Sequence, residues 1–508
     1  KDDNSMTIIR LPQEKAIRWM IVLAVIVLGV SLSCILFFSS YYNYAAESIS
    51  LASLIRVAAG QPYVGRLDEL PLLWNPYSPF LAWLVTPVLR VFHFSALAPI
   101  ALVARMTVLA VFACWVQQLA QFAHSSCPRS IEWRYLVVAV LWVMLLFTVN
   151  LVAVRPDLLS FFAEFLSLVA VLRSVRDNAR DWRFVALAGV LAGLAAGVKL
   201  NTIGGAVGIS MFLIWERRYS CVLIFGACAA VMGSAMLVLE YAVYGPVILE
   251  HVVFGLQSRA FHGIALARRS FGVLDEVFVL NIPFFMFSGW GLAHIGATDR
   301  RMSRCLACFI IGSLCLASVG QSKIGASSNY YIGAFMAGVI PLAVGVRALF
   351  AASASAPHVR AMRGVLYFTW AVLLLKAAVL PITIVVNDMR HYPYDSVRQL
   401  ILRDYPRAVV YTPDENAALQ FHEFTPLGPW SEGLLQLSDG FAQYLPAIRQ
   451  RLAGQPFTLA VTTGTACETW RPGGVFERET SHLRKLAVKF DKICVYSALE
   501  PTTARPVY

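Results

Sequence analysis

Long apolar runs recur along the chain and are separated by short polar segments. Many runs reach ~18 residues or more, the length with which a helix spans the hydrocarbon core of a bilayer. Backbone groups exposed to lipid must be hydrogen-bonded internally, so only helices or a closed barrel can span it, and long uninterrupted runs exclude the barrel. The pattern predicts a polytopic α-helical membrane protein with about eleven transmembrane helices. They cover approximately residues 18–40, 96–122, 135–153, 157–174, 183–200, 201–216, 219–243, 273–297, 304–320, 329–350 and 365–386.

The polar segments between the spans alternate in charge. Every second segment is short and rich in Lys and Arg, as in RLPQEKAIR at residues 10–18 and TDRRMSR at residues 298–304. Such basic loops face the cytoplasm under the positive-inside rule. The other segments, among them residues 41–95, residues 244–272 and everything after residue 387, are therefore predicted to be exoplasmic. With an odd number of spans, the N-terminus lies inside and the C-terminal region outside.

One stretch of the first exoplasmic loop, residues 76–92, is apolar enough to suggest another span. It is short and contains three Pro residues, and counting it as a span would reverse the orientation of every later basic loop. We therefore predict a helix that lies on the exoplasmic membrane surface.

The C-terminal region has a different pattern. Segments such as RAVVYT, FTLAVTT and DKICVYS alternate and are rich in β-branched residues, which predicts strands, and the apolar periodicity before Gly454 predicts a helix that ends there. The chain thus divides into a transmembrane domain at residues 6–386 and a small soluble α/β domain at residues 387–508. Residues 1–5, which precede a Met, are interpreted as a tag remnant. Cys467 and Cys494 can form a disulfide if this domain is exported, or remain free thiols.

Composition supports the membrane class. The chain is 58% hydrophobic and only 14% charged, whereas soluble domains carry about 25% charged residues. The net charge of +12 is scattered over the loops between spans, which argues against nucleic-acid binding. Cys305 and Cys308 form a CxxC pair with no second pair, so a zinc site is not predicted.

Unusual polar residues next to the membrane fall mostly on the predicted exoplasmic side, where they can form a site for a lipid-borne anion together with an acid or base. Each also has a simpler explanation: Arg155 and Asp157 can pair at a helix end, and Lys199 can extend to lipid headgroups. The loop residues among them can be merely solvated. Glu164 and Glu240 are further acids inside apolar runs, without a specific predicted role. The exoplasmic set comprises Glu47, Asp68, Glu69, Arg155, Asp157, Lys199, Arg259, His262, Lys323, Asn329 and Tyr330.

Five short segments occur in an order that resembles a known family. They are AAGQPYV, NPYSPFLAWL, RPDLLSFFAEFLSL, GLAAGVKLN and KIGASSNYYIGAFMAGVIPLA, between residues 58 and 343. The order is similar to that of the GT-C superfamily of integral-membrane glycosyltransferases, in particular bacterial members resembling protein O-mannosyltransferases and the lipid A aminoarabinose transferase. The resemblance implies transfer of a sugar from a polyprenyl phosphate to an exoplasmic glycan, lipid or protein by an inverting single displacement. It also implies a location in the bacterial inner membrane.

The resemblance further implies roles for individual residues. The family's base is an acid after the first span, often in an Asp-Glu pair, but this chain reads YYNYAAESIS there. Glu47 is the preferred base, and Asp68 is the runner-up. Asp157 matches the family's second acid, which orients the base or the acceptor. The lipid phosphate is assigned to Arg155, Lys199, Lys323, Asn329 and Tyr330, and candidates in the substrate loops are Glu69, Arg259 and His262.

The sparse early acids predict no resident metal or cofactor, although some relatives bind a divalent cation. Two other classes compete with the transferase. A lipid-linked oligosaccharide transporter or flippase would place charges near the membrane midplane, often in repeated halves. A non-catalytic assembly protein for envelope polysaccharide would not need both Glu47 and Asp157.

Overall fold

The computed structural model covers the whole chain and places most of it in helices. The residues that it describes are 5–38, 45–66, 75, 77–126, 132–176, 182–199, 202–251, 281–321, 328–353, 356–389, 394–413, 415–425, 427, 444–454, 456–463, 480, 482–483, 485–490 and 493–497. All statements about absences below refer to these residues.

A helix overlaps each of the eleven predicted spans. In chain order the helices are α1 Ser5–Ser33, α2 Ala45–Ala58, α3 Phe80–Val91, α4 Leu97–Ser126, α5 Trp133–Leu146, α6 Asp157–Arg176, α7 Trp182–Val198, α8 Gly204–Trp215, α9 Tyr219–Tyr244, α10 Ile282–Thr298, α11 Arg300–Gln321, α12 Ile332–Ala351, α13 Pro357–Met389, α14 Tyr394–Asp404, α15 Glu415–Gln420 and α16 Leu445–Gly454. A π-helical turn, Cys34–Phe38, continues α1, and a 3₁₀ turn, Ser328–Tyr331, precedes α12.

Seven of the helices in the described part of the chain are long and apolar enough to cross a membrane: α1 with its π-helical turn, α4, α6, α9, α11, α12 and α13. The protein is therefore a multi-pass membrane protein. Helices α5, α7 and α8 are apolar but shorter. At 1.5 Å per residue, the 12 residues of α8 extend only about 18 Å, against a hydrocarbon core of about 30 Å. The count of eleven spans stays a prediction.

The segment that leads to the RPD motif differs from the prediction. The sequence pattern suggests a span to residue 153, but α5 ends at Leu146 and the chain continues through turns to Pro156. Thr148 donates its hydroxyl hydrogen bond back to the Met144 carbonyl, and Leu151 and Val154 in the turns are fully buried. Protein encloses these residues, so apolar composition here marks a buried turn rather than a continued helix.

The described residues group into two compact units. The first comprises Lys1–Phe37, Met106–Leu239 and Phe261–Thr383, and the second comprises Phe38–Arg105, Glu240–Ala260 and Ile384–Tyr508. The sequence pattern predicts a separate domain only after residue 387. The second unit is larger than that domain, because it also contains the first loop and residues 240–260.

Small residues bring the helices of the first unit close together. Gly189, Gly193 and Gly197 follow one another every fourth residue on α7, and a Cβ at any of them would overlap atoms of α9. Helices in a membrane associate through such close packing because no hydrophobic driving force acts between them in lipid. The spacing visible in GLAAGVKLN therefore sets how closely α7 packs on α9.

The second unit contains a four-stranded sheet with the order β1-β2-β4-β3. The strands are β1 Val410–Tyr411, β2 Leu459–Thr463, β3 Lys485–Phe490 and β4 Ile493–Ser497. β1 and β2 are parallel, whereas β4 pairs antiparallel with both β2 and β3. β1, β2 and β4 lie in the three segments whose alternation predicts strands, and α16 ends at Gly454.

Cys494 lies in β4 and is disulfide-bonded. Cys467, the partner that the sequence offers, lies outside the described residues. Cys305 and Cys308 are free thiols on α11.

Candidate active site

The RPD motif begins α6 and buries its acid. Pro156 precedes the helix, and Asp157 occupies its first turn, where a negative charge is favoured by the helix dipole. Only 4% of Asp157 is exposed, and its carboxylate accepts a hydrogen bond from the Lys199 ammonium. Arg155 is buried as well. Asp157 thus has a partner that is 42 residues away in the chain.

Lys199 follows α7 directly and lies inside the protein. It is 7% exposed, and its ammonium is 4.7 Å from the centre of the Tyr330 ring, within the range of a cation–π contact. The alternative in which Lys199 extends to the headgroups is therefore wrong. Three residues that the sequence analysis selected separately, Asp157, Lys199 and Tyr330, form one cluster in the first unit.

A polar stripe along α6 supports this cluster. Asp157, Ser160, Glu164 and Ser167 are spaced three or four residues apart, so they share one face of the helix, and all four are buried. The Ser160 hydroxyl donates to the Ala195 carbonyl at 2.7 Å, and the Ser167 hydroxyl donates to the Ala188 carbonyl at 2.8 Å. Both acceptors belong to α7, so the stripe ties α6 to the helix that directly precedes Lys199.

Glu164 continues the stripe to the next helix. The Gly205 backbone N–H, in the first turn of α8, donates to its carboxylate. A helix start has unpaired N–H groups and a partial positive charge, so a carboxylate there satisfies both. The Thr202 hydroxyl, between α7 and α8, also donates to the Lys199 carbonyl at 2.6 Å. The turn that carries Lys199 is therefore held from both sides, which gives Glu164 a role that its sequence position did not reveal.

Glu47 is paired with a residue that the sequence analysis missed. It lies in the first turn of α2, is 4% exposed, and its Oε1 accepts from Arg105 Nε at 3.1 Å. Arg105 is 2% exposed and belongs, like Glu47, to the second unit. The sequence does contain a sign of this pair, because Arg105 lies inside the apolar run ALVARMTVLAV. A charge in such a run is costly unless it has a partner.

Asn75, from the segment NPYSPFLAWL, is the centre of a buried network beside α2. Its side-chain amide donates to the Ser53 hydroxyl of α2 at 2.9 Å and to the Tyr63 hydroxyl at 2.8 Å. Its backbone N–H donates to His251 Nδ1 at 3.0 Å, and His251 Nε2 lies 2.8 Å from the Gly65 carbonyl. With Nδ1 accepting, Nε2–H donates to that carbonyl, so His251 is a neutral tautomer that bridges two parts of the first loop.

Glu240 at the end of α9 joins the first loop in the same unit. Its carboxylate accepts from the Ser78 hydroxyl at 2.5 Å, and nearby the indole N–H of Trp83 donates to the Tyr244 hydroxyl at 2.9 Å. The otherwise unexplained acid therefore holds the segment that leads into α3.

The buried, neutral His251 predicts that acid lowers the free energy of unfolding. Burial lowers the pKa of His251 from 6.5 to about 4, and the nearby Arg56 charge adds to this effect, whereas the Gly65 hydrogen bond opposes it. Between these two pH values the unfolded chain binds a proton at His251 that the folded protein does not, so this stability is complete above pH 6.5 and is lost as the pH falls towards 4. The loss amounts to ~3 kcal/mol.

Thermal unfolding of detergent-solubilised protein between pH 7.5 and pH 4.5 measures this loss. His251→Gln, which keeps an acceptor and a donor, is expected to show a flatter dependence on pH than the wild type. Identical slopes would assign the acid sensitivity to other groups.

The remaining predicted residues cannot be placed. Asp68, Glu69, Arg259, His262 and Lys323 lie outside the described residues, as does the side chain of Asn329. Within the described part of the chain, no three His, Cys, Asp or Glu residues lie together as metal ligands. Glu47 and Asp157 each have a cationic partner, and such a cation competes with a divalent metal for the carboxylate, so these two acids fit a metal poorly.

The fold is similar to that of two crystal structures of ArnT from Cupriavidus metallidurans. For the structure bound to undecaprenyl phosphate, the TM-score is 0.57 at 13% identity, covering 95% of this chain and 98% of ArnT. For the apo structure, the TM-score is 0.58 at 14% identity, covering 96% and 98%. The resemblance seen in the sequence motifs is thereby confirmed at the level of the fold. No family model and no curated protein sequence matches the chain.

Proposed function

We propose that this protein is a membrane glycosyltransferase that moves a sugar from a polyprenyl-phosphate donor to an exoplasmic acceptor. The observation that carries the proposal is the buried Asp157–Lys199–Tyr330 cluster in a chain with the ArnT fold. The ArnT structure bound to undecaprenyl phosphate supports a lipid-phosphate donor. The acceptor is a glycan, a lipid or a protein.

In the proposed reaction, the acceptor oxygen attacks the anomeric carbon of the sugar. The bond from that carbon to the phosphate oxygen breaks, and its electron pair leaves with the polyprenyl phosphate. Glu47 takes the proton from the acceptor hydroxyl as general base. One displacement inverts the anomeric centre, and no metal or cofactor takes part.

Lys199 is proposed to stabilise the charge that develops on the departing phosphate. The hydrogen bond to Asp157 orients the ammonium. A buried positive charge that is held in place stabilises negative charge without reorganisation during the reaction. Arg155, Lys323, Asn329 and Tyr330 remain proposed phosphate ligands, and Asp68 remains the alternative base.

Purified protein in lipid nanodiscs, supplied with undecaprenyl-phosphate sugars and envelope extracts, tests the proposal. We expect mass spectrometry to detect a covalently glycosylated product together with released undecaprenyl phosphate. Heat-inactivated protein is the control. Passage of the lipid-linked sugar across liposomes without covalent transfer would instead identify a transporter or flippase. If the protein shows neither transfer nor transport, the non-catalytic assembly function is favoured.

We further propose that the protein lies in the bacterial inner membrane with its C-terminal region on the exoplasmic side. The basic loops and the Cys494 disulfide, which is typical of exported regions, support this orientation. Helix α3 is proposed to lie on the same membrane surface, because Leu84, Val88 and Val91 form an exposed apolar stripe along it.

Cysteine labelling tests this orientation. Leu402→Cys, at an exposed position of α14, is expected to react with an impermeant maleimide in intact spheroplasts. Arg217→Cys, in the basic turn between α8 and α9, is expected to react only after permeabilisation. The wild type corrects for the native cysteines, and the reverse labelling pattern would invert the topology.

A further inference from the structure

We propose that the C-terminal α/β region positions Glu47, with Ile49 as the residue through which it acts. This inference rests on the proposed role of Glu47 as base. It assigns a function to a part of the chain that contributes none of the candidate active-site residues.

Helix α2 is deeply buried from Glu47 to Ile55. All nine residues from Glu47 to Ile55 are buried, including Ser48, Ser50 and Ser53. A helix that contacts solvent normally leaves one polar face exposed, whereas a helix buried all round is surrounded by protein. The position of Glu47 is therefore decided by what surrounds α2.

The C-terminal region contributes to this burial. Helix α15 packs against α2, and Ile49 belongs to a buried hydrophobic cluster whose other members all come from the C-terminal region. These members are Tyr411, Leu427, Ile448, Leu452, Phe457, Ala460, Leu483, Cys494 and Tyr496. Ile49 is thus a core residue of the α/β region, although it lies far from that region in the sequence.

Helix geometry connects Ile49 to the carboxylate. Residues two positions apart are separated by about 200° around a helix axis, so Ile49 and Glu47 project from opposite sides of α2. Ser53, one turn after Ile49, lies on the same side and bonds to Asn75. The α/β core and the Asn75 network therefore support α2 from behind, while Arg105 holds the carboxylate in front. A cavity behind α2 lets the helix shift and moves the Glu47 carboxylate with it.

Such a shift is costly for catalysis because reaction rates depend steeply on the position of the base. A misplacement of about 1 Å can lower a rate by about 100-fold. Ile49→Ala removes methyl groups from the cluster without touching the carboxylate. We expect kcat to fall by about 10- to 100-fold with KM for the lipid donor unchanged, since the proposed phosphate ligands are other residues.

Four variants of the full chain test the inference. Ile49→Ala and Phe457→Leu disturb the cluster from the helix side and from the sheet side, and Ile49→Val is the conservative rescue. Leu486→Ala is the matched control, because Leu486 lies in the same sheet but is 47% exposed. Phe457→Leu serves as the main variant if Ile49→Ala fails to fold. Rates are normalised to folded protein, and hydrogen exchange of the α2 amides is measured in parallel.

Combination with Glu47→Gln separates positioning from general damage. If Ile49 acts through Glu47, Ile49→Ala lowers kcat in the wild type but adds no further loss to Glu47→Gln. An equal loss in both backgrounds, or a kcat within twofold of wild type for Ile49→Ala and Phe457→Leu, overturns the inference. Absence of transfer by the wild type defeats the proposed function instead. Hydrogen exchange still tests the support of α2 if the wild type shows no transfer. Unchanged exchange of the α2 amides in both Ile49→Ala and Phe457→Leu would show that the cluster does not support α2.

Discussion

Glu47→Gln lowers the rate of sugar transfer by about 10²- to 10⁴-fold, which is the contribution of a general base. The amide cannot take the proton of the acceptor hydroxyl, although its oxygen can still accept the hydrogen bond from Arg105. The measurement is the initial rate with saturating lipid donor in nanodiscs, normalised to folded protein. KM for the donor is expected to change little.

The buried pair with Arg105 requires a specific control. Neutralising Glu47 removes this counter-charge from the buried Arg105 and destabilises the fold, so a smaller folded fraction would also reduce the activity of Glu47→Gln. The double variant Glu47→Gln/Arg105→Gln removes both charges and is expected to regain stability without regaining activity. Full activity of Glu47→Gln would exclude Glu47 as the base, and Asp68→Asn would then be the variant to examine.

Lys199→Met separates the structural and chemical roles of the second buried pair. Removing one partner leaves Asp157 charged and buried, so we expect a loss of stability of about 3–5 kcal/mol. Transfer is expected to fall by about 10²- to 10³-fold, the effect of removing one donor to a developing oxyanion. Thermal unfolding in detergent measures the first effect, and the rate per folded molecule measures the second.

The double variant Asp157→Asn/Lys199→Met completes a cycle. With both charges removed, stability is expected to recover much of the loss, since replacement of a whole buried pair is often nearly neutral. The rate is expected to stay low because the phosphate has lost its cation. Recovery of activity together with stability would show that the pair only holds the fold.

The sequence pattern predicted the helices well because membrane spans are a local property of composition. Each apolar run has its helix, and the α2 and α3 helices fall in the first loop. The prediction failed after Leu146. Residues 147–153 were assigned to a span because they are mostly apolar, but they form turns that are largely buried in protein.

The sequence revealed the candidate polar residues more readily than their hydrogen-bond and ion-pair partners. Asp157 and Lys199 were both selected, but their pairing was not predicted, because sequence distance says nothing about which helices pack together. Arg105 was overlooked since it lies within a run that reads as an ordinary span. The contact of Ile49 with the sheet depends on tertiary packing alone, and no local periodicity reports it.

The core around Ile49 also has a consequence for the order in which the protein is made. Its members run from Ile49 to Tyr496. The ribosome therefore synthesises the helix that carries Glu47 long before β4, and that core is complete only after β4 has been translated. A product that terminates before β4 would contain all seven candidate spans of the described residues and still lack the finished surroundings of the proposed base. Synthesis of β4 thus acts as a late checkpoint on a helix that was made more than 400 residues earlier.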